Sequence, residues 1–182
     1  MHTRFTLKAM TYAGLALAIA FVLSYARILS MPAGGSITLM SMFFVSLVGF
    51  WYGPVVGITA AATYGLLQMV QGAYVIHPVQ FLLDYPLAFG MLGLSGFFRN
   101  FRGGVYIGFV VGAIGRFVMS TLAGWIFWIG VDTPGAMWGS IVYNGTYIFP
   151  EIGLTLVIML MPPMYYALQV LKVSATDVNY RP

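Results

Sequence analysis

Asp84 stands inside an apolar run, His77-Pro-Val-Gln-Phe-Leu-Leu-Asp-Tyr-Pro-Leu-Ala-Phe89, that continues to Phe98. Ionisable residues at membrane depth are costly, and they face a cavity or a partner. His77, Gln80 and Asp84 fall at i, i+3 and i+7, which places them on one helical face as a polar ladder leading inward. At a helical rise of about 1.5 Å per residue, Asp84 lies roughly 9 Å in from the outer end of its helix. Pro86 has no N–H and so frees the Leu82 carbonyl one turn earlier, which suits a cavity wall. The competing reading is a carboxylate bonded to a neighbouring helix for structure alone.

Three further sets of polar residues share the same depths. Arg116, Ser120, Gly124 and Trp128 follow at successive i+4 steps, a stripe with a glycine that makes room and a tryptophan near the outer surface. Such a tryptophan also fits an ordinary membrane-belt residue. Asn144, entering from the outside, is expected within about one turn of the depth of Asp84. Its amide both donates and accepts, so it suits either a polar ligand or a helix-to-helix bond. Arg116 and Glu151 both fall near the midplane, and a structural ion pair between them would lower the cost of burying either. Together these positions predict an outward-facing pocket lined by Asp84, Asn144, Tyr74, Tyr85 and Trp128. One acid in an aromatic box favours an organic cation, through Coulomb attraction and cation–π contact.

The elements that must hold these side chains are membrane helices. Of 182 residues, 60% are hydrophobic and 7% are charged, and the mean hydropathy is +0.91. Soluble domains carry about 25% charge, so the chain has too little polar surface to cover a globule. Residues 1–182 are read as one integral membrane domain, an all-α bundle of six helices at about 6–25, 38–52, 54–71, 78–98, 104–130 and 138–170. Gly53-Pro54 separates the second helix from the third, because proline fits the first helical position and glycine the break before it. The basic-then-apolar start has the charge order of a signal peptide, but no small-residue cleavage site leads into a polar region, so a retained first span is expected. Arg4 and Lys8 precede the first helix, Arg99 and Arg102 lie between the fourth and fifth, and Lys172 and Arg181 follow the sixth. With six spans these fall on one side, which predicts a multi-pass plasma-membrane protein with both termini cytoplasmic; Arg27 is the exception. The basic residues are scattered as topology signals and do not suggest nucleic-acid binding. Ala9, Ala13, Ala16 and Ala20 form a small-residue stripe on the first helix, fit for close packing within the chain or against a partner.

Several function classes drop out. The sequence has no cysteine, hence no disulfide or thiolate metal site, and no metal site is expected. No HExxH, serine–lysine pair or repeated acid motif suggests an enzyme. The phosphate-binding loop of an ATPase is absent, and no inverted repeat supports rocking between two halves. A binding subunit that borrows energy from elsewhere fits best. A membrane assembly subunit without ligand is the alternative, although it has no need of an acid among tyrosines.

Three motifs, SMPAGGSIT at 30–38, HPVQFLLDYPLAFGMLGLSG at 77–96 and YNGTYIFP at 143–150, resemble those of the thiamine-specific substrate-binding subunits of energy-coupling factor transporters of Gram-positive bacteria. The similarity runs over nearly the whole chain. It implies a six-helix bundle that captures vitamin outside, then works with a membrane coupling subunit and two ATPase subunits, so that ATP is hydrolysed by the partners and no cofactor is held here. It also implies that segment 30–38 covers the occupied pocket and that the alanine stripe of the first helix docks the coupling subunit. By position, Asp84 matches the acid that bonds the aminopyrimidine, Tyr74, Tyr85 and Asn144 match pocket residues, and Gly124 and Trp128 match the glycine and aromatic around the thiazolium. Ser120 stands where the family usually has a ligand-bonding histidine, and Gly139 where it has a pocket tyrosine, with Trp138 beside it as a substitute. Those departures leave thiamine itself, or a related thiazole, pyrimidine or other small vitamin, as the ligand expected.

Overall fold

The computed structural model describes residues 6–32 and 34–176; Arg4 and Arg181, two of the expected topology charges, lie outside them. Seven helices and one hairpin follow in order: α1 Leu7–Leu23, strands β1 Arg27–Ser30 and β2 Ser36–Thr38, α2 Ser41–Tyr52, α3 Pro54–Leu67, α4 Pro78–Phe98, α5 Gly104–Gly130, α6 Ala136–Leu160 and α7 Pro162–Thr176. By length and composition α4, α5 and α6, with 21, 27 and 25 residues, are able to cross a bilayer. α1 and α2 are apolar but shorter, at 17 and 12 residues.

Two boundaries differ from the sequence reading. The pattern predicts one last helix over 138–170, but the chain leaves helical geometry at Met161, with φ −65° and ψ 133°. Pro162 explains the break: it has no N–H to donate and pushes the residue before it into an extended conformation, while itself suiting the first turn of α7. The segment 30–38 is not a plain loop but part of an antiparallel hairpin, with Leu29 opposite Ile37 and Ser30 opposite Ser36. Its turn uses Gly34 and Gly35 at φ +88° and +76°, a region that glycine enters without steric cost.

α2 forms the axis of the core and is buried along its length except at Phe44. Around it the C-terminal half of α4 is held by contacts that only glycine permits. A β-carbon on Gly93 would run into the backbone of Gly57 and Ile58 on α3, and one on Gly49 of α2 would stand 2.7 Å from the Gly93 carbonyl. On the other side, a β-carbon on Gly112 of α5 would lie 2.8 Å from the Leu92 Cα. Lipid gives apolar helices no reason to associate, so close packing of this kind has to supply the attraction.

The alanine stripe of α1 serves the same purpose within this chain. Ala16 and Ala20 are 3% and 0% exposed, and Tyr64 on α3 donates its hydroxyl to the Ala20 carbonyl at 3.1 Å. Ala9 and Ala13 are half-buried against the same core. The C-terminal part of the stripe is therefore taken up by packing within the chain.

The two ends of the bundle differ in charge. Lys172 lies 4.8 Å over the Phe50 ring, Lys8 lies 6.0 Å from the Tyr12 ring, which in turn packs on Trp51, and Arg99 reaches Gly53. These cations gather where α2 turns into α3. At the opposite end Arg27 donates to Gln71 Oε1 at 3.2 Å.

The glycine contacts carry a direct test. Gly93→Ala should lower the thermal unfolding midpoint in detergent, read by circular dichroism, by an amount equivalent to about 1–3 kcal/mol, the usual cost of overpacking. Gly14→Ala on α1, where a β-carbon meets nothing within 4 Å, should leave the midpoint unchanged or raise it, since alanine is favoured over glycine in a helix by about 1 kcal/mol.

Candidate binding site

A cavity of about 530 Å³ opens at the end away from the clustered cations. Its walls come from Asp84, Tyr85 and Phe89 of α4, the part of α5 from Arg116 to Ile129, the part of α6 from Gly139 to Glu151, the segment that follows α3 and the hairpin. The whole predicted stripe of α5 lines it, Arg116, Ser120, Gly124 and Trp128 together, with Asp84, Tyr74, Tyr85 and Asn144 facing them.

Asp84 is placed by two neighbours that share one of its oxygens. Gln80, fully buried one turn earlier, donates Nε2 to Asp84 Oδ2 at 2.6 Å, and the Trp128 indole donates Nε1 to the same oxygen at 3.3 Å. Oδ1 takes no hydrogen bond from the described residues. The Gln80 side-chain oxygen Oε1 in turn accepts from the Ile76 N–H at 3.1 Å, so Gln80 both orients the acid and pins the preceding loop. His77 leaves that ladder: its Nδ1 caps the start of α4 by accepting from the Val79 N–H at 3.1 Å, and its ring stacks on Phe127 at 4.9 Å.

Both members of the Asp84–Trp128 bond sit on turns wound wider than an α-helix, Leu83–Leu87 in α4 and Gly124–Gly130 in α5. Such π turns recur at functional sites. Pro86 accounts for the first, because its missing N–H breaks the regular ladder. Nothing in the periodicity announced the second.

Aromatic rings form the mouth. The Tyr74 and Trp128 rings lie 5.2 Å apart at 33°, and the Tyr85 hydroxyl accepts from the Tyr74 N–H at 3.2 Å. Trp138 takes no part: it is 69% exposed and lies off the cavity. Its neighbour Gly139 lines the wall instead, and one residue of helical rotation, about 100°, turns Trp138 away. The substitution of Trp138 for a pocket tyrosine, expected from the sequence, is therefore corrected.

Asn144 joins α6 to α5. Its Nδ2 donates to the Ser140 carbonyl at 3.0 Å and the Ser120 carbonyl at 3.3 Å, while its Oδ1 accepts from the Tyr147 hydroxyl at 2.6 Å. Gly124 is what lets these helices meet, since a β-carbon there would strike Ser140 Oγ and approach Asn144 Nδ2 to 3.3 Å.

The ion pair expected between Arg116 and Glu151 does not form. Both residues line the deep part of the cavity, but Glu151 accepts from the Thr38 N–H at 3.0 Å, the Thr38 hydroxyl at 2.8 Å and the Ser41 hydroxyl at 3.4 Å. The Arg116 guanidinium lies 4.2 Å over the Phe89 ring, and its Nε is buried without a hydrogen bond. Equal depth on two helices says nothing of their rotation, and the hairpin's Thr38 and the first residue of α2, Ser41, bring donors to the carboxylate first. Also missed in the sequence were Tyr143, Tyr147 and Gln68 of the wall; for Tyr147 the i+3 step from Asn144 was the available signal.

The site is thus an acid held by an indole and an amide, under an aromatic mouth, with a β-hairpin across it. The thiamine transporter ThiT of Bacillus subtilis strain 168 is 33% identical over 139 residues, which cover 68% of this chain and 72% of that protein. ThiT of Lacticaseibacillus paracasei is 27% identical over 110 residues, 52% of this chain and 54% of that one. A solved structure of ThiT from Listeria monocytogenes shares the fold, with a TM-score of 0.72 and 23% identity over 89% of this chain and 93% of that chain. The family model described as thiamine transporter protein (Thia_YuaJ) matches residues 10–171, and the chain belongs to that family.

Proposed function

We propose that the cavity captures thiamine, and that the chain is the substrate-binding subunit of an energy-coupling factor importer. The observation that carries this reading is Asp84, held by the Trp128 indole and Gln80 through Oδ2 alone, with Oδ1 unused beside the aromatic mouth. That is a site for a flat cation bearing a hydrogen-bond donor: the carboxylate supplies charge and an acceptor, and the rings supply cation–π contact. The family membership and the similarity to the ThiT proteins support the same ligand. Ser120 and Gly139 both lie in the wall, so the positions that depart from the family pattern border the ligand, and a related pyrimidine or thiazole is the second reading.

The resemblance to energy-coupling factor binding subunits supports a transport cycle in which partner subunits hydrolyse ATP and a membrane coupling subunit joins them to this chain, whose own sequence carries no nucleotide-binding loop. The chain itself transports without catalysis or cofactor. Lys8, Arg99 and Lys172 cluster at the end opposite the cavity, which supports a cytoplasmic placement of that end and of the termini, with the cavity facing out.

Calorimetric titration of the purified chain with thiamine, and with its pyrimidine and thiazole halves, tests the ligand. Tight binding of thiamine is expected; binding of only one half would show that Ser120 and Gly139 have redirected the site, and no binding of any would end the proposal. Asp84→Asn should weaken binding by about 2–5 kcal/mol, the range for a buried charge-assisted contact, while the unfolding midpoint stays close to that of the parent.

Paired tryptophan variants separate the mouth from the surface. Trp128→Ala should weaken thiamine binding by at least the roughly 0.5–2 kcal/mol of a cation–π contact. Trp138→Ala should leave affinity within twofold; a loss equal to that of Trp128→Ala would place the ligand elsewhere.

A further inference from the structure

Glu151 is 1% exposed, yet its hydrogen bonds all go to the segment that joins the hairpin to the bundle. Thr38 ends β2, and Ser41 begins α2. Oε2 of Glu151 accepts from the Thr38 N–H and Oε1 from the Thr38 hydroxyl, while the Ser41 hydroxyl, 3.4 Å from Oε1, has one proton to give either to that oxygen or to Thr38 Oγ1. Between them Met40 turns the chain at φ 60° and ψ 15°, the one residue other than glycine with positive φ among those described. A left-handed methionine is sterically unfavourable and persists only where its surroundings over-determine it. The buried carboxylate is the group that does so, because it fixes the residues on both sides of the turn.

The remaining ties of the hairpin are at its far parts. The Tyr143 hydroxyl donates to the Gly34 carbonyl at 2.6 Å, Gly35 lies against the Tyr147 ring, and Arg27 bonds Gln71. These partners line the cavity, as do Thr38, Ser41 and Glu151. The hairpin therefore crosses the cavity with one end anchored on the deep wall by a carboxylate and the other resting on the rim.

We propose that Glu151 is the positioning residue of the cavity's cover: by clamping Thr38 and Ser41 it sets how long a bound ligand stays, not which ligand is recognised. This rests on the ligand-binding reading above. A clamp at the base resists opening of the hairpin, and opening is the step that precedes dissociation, so its loss acts on the off-rate. A second-wall acid that recognised the cation directly would instead change which ligands bind.

Stopped-flow tryptophan fluorescence with thiamine on the full chain in detergent, together with amide hydrogen exchange on the ligand-free protein, tests it. Glu151→Ala should raise the dissociation rate at least tenfold with the association rate unchanged or higher, and should speed exchange at Ile37 and Thr38. Glu151→Gln keeps an acceptor for the Thr38 N–H and should recover part of both effects. If Glu151→Ala fails to fold, Thr38→Val, which removes one hydroxyl donor from the hairpin side, should raise the dissociation rate about threefold. A dissociation rate within twofold of the parent in the folded variants, or exchange at Thr38 equal to the parent's, would overturn the clamp, as would an altered order of preference among thiamine and its two halves. Exchange needs no ligand, so failure of the clamp is distinguishable from failure of thiamine to bind.

Discussion

Close backbone approach around the C-terminal half of α4 is the constraint on which the other features depend. Gly49, Gly57, Gly93 and Gly112 let α2, α3 and α5 press against that half with almost no side chain between them. In a lipid solvent this is how helices are held, since apolar surface gains little by leaving hydrocarbon for another apolar surface. The N-terminal half of α4 carries Gln80, Asp84 and Tyr85 instead, and there the bundle encloses a cavity. One helix thus holds the fold at one end and frames the site at the other.

Polar groups in such a site have to be satisfied by one another, because an unpaired donor or acceptor in a low-dielectric interior is costly. The networks divide the work. Ser140 and Asn144 tie α6 to α5 through the Thr121 and Ser120 carbonyls, and Tyr147 donates to Asn144 within α6. Gln80 connects Asp84 to the loop before α4. Glu151 belongs to the hairpin. The second oxygen of Asp84 takes no hydrogen bond from the described residues and lies beside the aromatic rim.

The π turns at Leu83–Leu87 and Gly124–Gly130 show how the helices deliver that set. A wider turn rotates the residues that follow relative to those before, so Asp84 and Trp128 point across the gap to each other while the rest of each helix keeps its packed face. Proline and glycine serve the opposite ends of the chain in a similar way. Gly53 separates two helices at the cation-rich end, and Pro162 starts α7 there, which Tyr52 then ties back to α2 through its bond to the Ala175 carbonyl at 3.1 Å.

Membrane class, the main helices, the pole of positive charge and the face of α5 that lines the cavity were all determined by the sequence itself, because each depends on composition or on a helical period. Arg116, Ser120, Gly124 and Trp128 share a wall for no reason beyond their i+4 spacing. Asp84 was recognisable because a carboxylate in an apolar run has few other uses. The pairing of side chains across helices belonged to the tertiary structure. Depth along a helix can be counted from its end, but rotation cannot, so Arg116 and Glu151 at one depth turned out to face different partners. The same freedom of rotation turned Trp138 outward and buried Ala16 and Ala20 within the chain. The hairpin was decided at the same level, since Thr38 and Ser41 acquire their meaning only when folding brings Glu151, more than a hundred residues along the chain, to meet them.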